Sequence, residues 1–210
     1  MNFLLASPST DDLARLLKAW RFWLLGAIVG ALLGGSVYHV APPPYRARAT
    51  ISVDFHLELA WPQNSDREQF YYLEREARKL REIAFSDAVL HPVALQAGDV
   101  TVEQMRAGKL QLSQPGHGGW HFFADDIDPG TAAALAAAWG SAFADQVQQQ
   151  VIASATSGLE PYITVSADQV DNLPVGRLFS LSTYLFVGAL VVACVSALAV
   201  LFLHAPAAKE

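Results

Sequence analysis

Residues 22–45 read Phe22-Trp-Leu-Leu-Gly26-Ala-Ile-Val-Gly30-Ala-Leu-Leu-Gly34-Gly-Ser-Val-Tyr38-His-Val-Ala-Pro42-Pro-Pro-Tyr45, without one Asp, Glu, Lys or Arg. Towards the other end of the chain, Leu178 to Ala208 is also free of charge. Each run holds about 20 apolar residues, the length at which a helix crosses a hydrocarbon core about 30 Å thick. The sequence therefore predicts a membrane hairpin. An N-terminal tail (1–21) leads into a first transmembrane helix (22–40), a polar domain follows (41–177), and a second helix (178–203) and a short tail (204–210) complete the chain.

The first run, with Arg15, Lys18 and Arg21 ahead of it, also has the outline of a secretory signal. Its length, and the lack of a small-x-small cleavage pattern before Pro42, favour an uncleaved anchor. Arg15, Lys18, Arg21 and Lys209 flank the spans on the tail side, and Arg46, Arg48 and Arg177 on the domain side. That difference places both termini in the cytoplasm and the domain outside, in the plasma (inner) membrane, by the bias of basic residues toward the inner face. Trp20, Trp23 and Tyr38 sit where aromatic residues line the membrane–water interfaces.

The domain from Ala41 to Arg177 carries ten Lys/Arg against seventeen Asp/Glu, an excess of seven negative charges. An acidic domain without a basic cluster offers no nucleic-acid face. Cys194, the only cysteine, lies in the second run, which excludes an intramolecular disulfide and a thiolate metal site.

Within the first run Gly26, Gly30 and Gly34 recur every four residues and form a flat strip along one helix face. Ala189, Ala193 and Ala197 repeat the spacing in the second, with Gly188 and Ser196 beside them. Lipid gives helices no hydrophobic reason to associate, so small residues that let backbones approach are the main packing device. The strips predict a close helix–helix contact, within one chain or between protomers of a homo-oligomer. No Asp, Glu, Lys, Arg or His lies mid-span, which argues against a proton or ion path.

In the domain, Ala47, Ala49, Ile51, Val53 and Phe55 alternate with Arg46, Arg48, Thr50, Ser52 and Asp54, the pattern of a strand with one apolar face. Pro42-Pro-Pro44 gives it a stiff extended lead-in. Ser65-Asp-Arg-Glu68 is a capping box opening a helix whose apolar stripe reads Phe70, Leu73, Ala77, Leu80 and Ala84. Glu74–Arg78 and Arg78–Glu82 are outer-face pairs worth about 0.3 kcal/mol each. A second helix spans Ser86 to Ala97 with Gly98 as its stop, and a third starts at Thr101 with Gln104 as a box-like partner. Lys109 to Ser113 and Trp120 to Ala124 are strands joined by Pro115-Gly-His-Gly-Gly119. Asp128-Pro129 caps an alanine-rich helix that runs to about Ala153, with Leu135, Ala138, Ala142, Phe143 and Val147 on its buried side. Pro161 to Val165 is a last strand. The order β-ααα-β-β-α-β defines an α+β domain, helices layered on a mostly antiparallel sheet.

Catalytic patterns are missing. There is no phosphate-binding glycine loop with its lysine and no nucleophile elbow. His117 and His121, with Asp125 and Asp126 nearby, have the residue types of a metal site, but the surrounding glycines make a turn in place of the helix that spacing four requires. Asp125-Asp126-Ile-Asp128 lacks the glycine and terminal glutamate of a calcium loop. Phe70, Tyr71 and Tyr72 read as core or protomer contact in preference to a sugar-stacking patch. The reading is of a protein without enzymatic activity, cofactor or metal.

Thr10-Asp-Asp-Leu-Ala-Arg-Leu-Leu-Lys-Ala-Trp20 before the first span, the proline-marked exit, and Tyr45-Arg-Ala-Arg-Ala-Thr-Ile-Ser-Val53 together resemble the N-terminal signature of the Wzz chain-length-determinant family, the polysaccharide co-polymerases. Ser86-Asp-Ala-Val-Leu90, Thr101-Val-Glu-Gln-Met105 and Asp126-Ile-Asp-Pro129 before the alanine-rich helix are similar to later family segments in the same order. The resemblance covers most of residues 10–150 and the second span. It implies a homo-oligomeric membrane protein that works beside a polysaccharide polymerase or export machinery, touches glycan, and influences chain length or export. Only about ten residues, Ile152 to Pro161, stand where longer members carry a helical hairpin, so the chain is similar to the short transmembrane adaptors of capsule and exopolysaccharide systems. The family's proline-rich stretch is reduced to Leu173-Pro-Val175. The tail from His204 to Glu210 offers a tyrosine kinase little to dock on, which counts against an adaptor role. The alternative is a structural or accessory subunit of another membrane complex built on the same fold.

Overall fold

A computed structural model describes residues 14, 16–60, 66–98, 100–114, 119–153, 162–169 and 175–203. The chain divides into two compact units, one formed by residues 1–43 with 179–210 and the other by Pro44–Leu178.

The first unit is a pair of helices, α1 (Trp20–Val40) and a C-terminal helix, Leu181–Leu203. Both are long and apolar enough to cross a membrane, and only 17% of the first and 6% of the second is buried. A core helix of a water-soluble domain would be mostly buried, so the low burial of this pair fits two candidate membrane spans. Ser180 begins the second helix, its hydroxyl accepting from the Thr183 backbone N–H at 3.3 Å.

The second unit is built on β1 (Tyr45–Asp54), whose Ala47, Ala49, Ile51 and Val53 are all buried, as the alternation requires. A short α2 (Leu57–Ala60), which the sequence did not signal, leads on to α3 (Asp66–Ala84). Ser65, its expected cap, lies outside the described residues. The buried side of α3 is Tyr72, Glu76, Leu80, Ile83 and Ala84, while Phe70 is 63% exposed. The expected stripe is thus rotated: Leu80 and Ala84 belong to it, Leu73 and Ala77 lie at its edge and Phe70 does not.

α4 (Asp87–Ala97) ends at Gly98, whose φ of 74° is a left-handed value open to glycine. Thr101 caps the short α5 (Val102–Gln104) with both bonds of a capping box in place, and a π-type turn over Met105–Lys109 follows. β2 (Leu110–Ser113) and β3 (Gly119–Asp126) form the hairpin, whose turn at 115–118 lies outside the described residues.

Asp128 caps α6 (Pro129–Ile152), accepting from the Thr131 N–H at 2.7 Å. Leu135, Phe143 and Val147 are buried as expected, but Ala138 and Ala142 are only partly so, and Trp139 is the largest fully buried side chain. The last strand falls later than Pro161–Val165, as β4 (Thr164–Gln169), and a short β5 (Gly176–Arg177) follows; Pro161 lies outside the described residues. The C-terminal helix, Leu181–Leu203, is α7.

All strand pairs are antiparallel, in the order β2-β3-β1-β4, with β5 also pairing with β1. The result is mixed α and β, with helices on one face of an antiparallel sheet. Gly140 lets α6 lie close on β1, since a side-chain carbon there would stand 3.2 Å from Ile51 Cδ1. Trp139 meets Phe122 edge-on at 4.7 Å, and its indole N–H donates to the Ala84 carbonyl at 2.7 Å. That bond ties α3 to α6 and satisfies the one polar atom of the ring. The two ends of the unit meet where Leu178 N–H donates to the Pro44 carbonyl at 2.9 Å.

Candidate functional site

In the helix pair, Gly26, Gly30 and Gly34 are the buried residues of α1. A methyl group at Gly26 would strike the Ser196 hydroxyl; at Gly30, the Gly188 carbonyl; at Gly34, the Tyr184 carbonyl. The partners descend along α7 as the glycines ascend along α1, so the helices are antiparallel and their backbones touch. Val40 and Leu181, which lead towards the domain, therefore emerge at the same end of the pair.

Of the two predicted strips, that of α1 lies in the contact. On α7 the closest approach is made by Tyr184, Gly188, Val192 and Ser196, again every fourth residue but one position before Ala189, Ala193 and Ala197. Those three alanines are half-buried beside the seam. Ser196 stays compatible with lipid by donating its hydroxyl to the Val192 carbonyl at 2.8 Å, and Tyr38 packs edge-on against Tyr184 at 5.4 Å. An apolar groove of about 470 Å³ runs along one side of the pair, lined in part by Leu33, Val37, Thr183 and Val187.

In the domain, the residues considered for metal are committed elsewhere. His117 lies outside the described residues. His121 Nδ1 stands 3.0 Å from the Thr50 hydroxyl. Asp125 accepts both arms of Arg46, at 2.7 and 2.6 Å. Its hydrogen bond holds that guanidinium above its ordinary pKa, against the opposing effect of burial. Asp126 accepts from Lys109 Nζ at 2.6 Å and from the Asp128 N–H at 3.1 Å. Burial pushes the Asp126 carboxyl up, but these bonds outweigh it and hold the carboxyl below its ordinary value. Among the described residues no group of three or more His, Cys, Asp or Glu is placed to hold a metal ion.

The aromatic run divides. Tyr72 is buried, and Phe70 and Tyr71 are exposed as an edge-to-face pair 6.1 Å apart. Tyr71 and Glu74, Arg75 and Arg78 line a shallow hollow, and Glu74 pairs with Arg78 at 3.4 Å. Glu76, fully buried, accepts from Arg75 Nε and Lys79 Nζ at 2.8 Å each, with its second oxygen unbonded.

His56, which sequence reasoning passed over, takes φ of +41° at the end of β1. Its N–H donates to Asp54 Oδ1 at 2.9 Å, Nδ1 lies 3.2 Å from Glu58 Oε1, and Nε2 lies 2.5 Å from the Thr164 hydroxyl. It therefore fastens β4 to the turn after β1. The spacing Asp54-x-His56-x-Glu58 was its only sequence signal. No protein-family model and no curated protein sequence matches the chain.

Proposed function

We propose that this chain is a non-enzymatic, oligomeric membrane protein of the polysaccharide co-polymerase kind. In this reading its α+β domain stands outside the plasma membrane, both termini are cytoplasmic, and it influences the chain length or export of a surface polysaccharide. The observation that carries the reading is the architecture. A domain whose two ends meet at the Leu178–Pro44 hydrogen bond is flanked by two helices of membrane-spanning length that pair antiparallel through Gly26, Gly30 and Gly34. Such a protein contributes geometry: a set of identical domains held at the membrane, presenting a common surface to the growing glycan or its polymerase. The apolar groove beside the helix seam supports association with further membrane helices.

The test is deletion of the gene and resolution of the surface glycan by length. The expected outcome is a changed length distribution or amount, with sugar synthesis intact and the profile restored by the wild-type chain. An identical profile in the deletion strain contradicts the proposal and favours an accessory subunit of another membrane complex.

A further inference from the structure

The domain is tied to both apolar helices at one edge of its sheet. Tyr45, the first residue of β1, pairs with Arg177 of β5 on one side and with Asp126, the last residue of β3, on the other. Residues 41–44 link this edge to α1, and residues 178–180 link it to α7. The longer link covers on the order of 18 Å at full stretch, so the covalent chain keeps the edge within that reach of the end of α1. The Arg177 guanidinium lies over the Tyr45 ring, 4.6 Å from its centre. Tyrosine and arginine are residues that settle at a membrane–water interface. Ile127 follows Asp126 in the turn between β3 and α6 and is 85% exposed.

A single exposed isoleucine is ordinary on a protein surface. This one differs in its position and in its neighbours. The carboxylates around it are engaged: Asp125 by Arg46, Asp126 by Lys109, and Asp128 by the Thr131 N–H and hydroxyl at 2.7 and 3.0 Å. Paired and hydrogen-bonded carboxylates cost less to bring into a headgroup layer than free ones. Ile152, 79% exposed, is the contrast. α6 starts beside the tethered edge and runs along β1, with Gly140 against Ile51. Its 24 residues carry Ile152 roughly 35 Å from that edge. We propose that the β3–α6 turn dips into the bilayer leaflet facing the domain, with Ile127 among the upper acyl carbons and the Tyr45–Arg177 pair beside it at the interface. The contact adds a third attachment to the two chain links and fixes the tilt of the domain against the membrane. It rests on the reading of α1 and α7 as membrane spans.

The test uses the full-length protein in phosphatidylcholine nanodiscs, with an environment-sensitive fluorophore on one cysteine at a time. Ile127→Cys and Ile152→Cys are made in a Cys194→Ala chain, and the native Cys194, exposed on α7, is labelled in the wild type. Both isoleucines are exposed, so a cysteine in either place leaves the core intact. Quenching is compared between a lipid with a nitroxide high on its acyl chain and iodide in the water. The expected result is a blue-shifted label at position 127, quenched by the lipid several-fold more than the label at 152, which iodide quenches instead. Iodide quenching at 127 and 152 alike, with Cys194 quenched by lipid, overturns the proposal and leaves the spans standing. Lipid quenching at both 127 and 152 also overturns it, since the domain would then lie on its side. A label on Cys194 that the lipid does not reach overturns the membrane reading and the proposal with it.

Discussion

At the scale of single residues, Asp126 shows how an acidic run in an acidic domain becomes structural. Its side chain lies at the end of β3, 14% exposed, and takes hydrogen bonds from Lys109 on the preceding π-type turn and from the Asp128 N–H at the start of α6. These bonds favour the charged form and leave its pKa below the ordinary 3.8 despite burial. A carboxyl depressed in the folded state adds stability that is present above the unfolded pKa and is lost as pH falls through the folded one. Between about pH 5 and pH 2, thermal unfolding of the detergent-solubilised protein should show a falling Tm, part of which Asp126→Asn removes. At pH 7 the same variant should be less stable by about 1 kcal/mol, the usual worth of such a bond with a partly exposed lysine. An Asp126→Asn protein with unchanged stability at pH 7 and an unchanged acid limb would show that Lys109 and Asp126 are paired in place but not in energy.

The run 125–128 was legible only in part. The cap at Asp128 follows from the proline after it. The roles of Asp125 and Asp126 depend on Arg46 and Lys109, which are 79 and 17 residues away in sequence and brought near by strand pairing.

At the scale of elements, period-two and period-four patterns carried well and side-chain polarity carried less. β1 falls within one residue of its expected end, because five alternating apolar positions admit only one face. α3 was rotated in the reading because hydropathy puts a glutamate outside. Glu76 is buried instead, with Arg75 and Lys79 donating to one of its oxygens, and Phe70 is turned out. Trp139 escaped notice inside an alanine run whose small residues set the spacing. The helix pair makes the same point. Gly26, Gly30 and Gly34 were readable from spacing, but their partners are the carbonyls of Gly188 and Tyr184 and the hydroxyl of Ser196, and a contact made largely by backbone is not announced by alanine spacing.

The pair yields a graded prediction. Gly30→Ala places a methyl on the Gly188 carbonyl, which cannot move aside, and should cost about 1–3 kcal/mol of stability in detergent. Gly35→Ala meets only the flexible Leu185 Cδ2 at 3.2 Å and should lie near wild type. Melting curves and oligomer mass, measured together, check both. A Gly30→Ala protein with an unchanged melting curve but a smaller oligomer would move the glycine strip from an intrachain seam to a contact between protomers.

At the scale of the whole molecule, the central claim is that two apolar helices at either end of the chain enclose one α+β domain and anchor it to a membrane. The two apolar helices and the domain between them were the most legible part of that organisation, since two runs of about 20 uncharged residues frame the polar middle of the sequence. Sidedness rests on a narrower margin in the sequence, basic flanks that differ by a single residue, four against three. The most direct measurement is cysteine accessibility in intact cells. Cys194 is replaced by Ala, and single cysteines are placed at Ser9 in the N-terminal tail and at Ser113 at the end of β2. With a membrane-impermeant thiol reagent, Ser113→Cys should label in intact cells once the outer envelope, where present, is permeabilised, and Ser9→Cys only after the plasma membrane is opened. Labelling of Ser9→Cys but not Ser113→Cys would invert the orientation, and labelling of both in intact cells would contradict the paired-span arrangement.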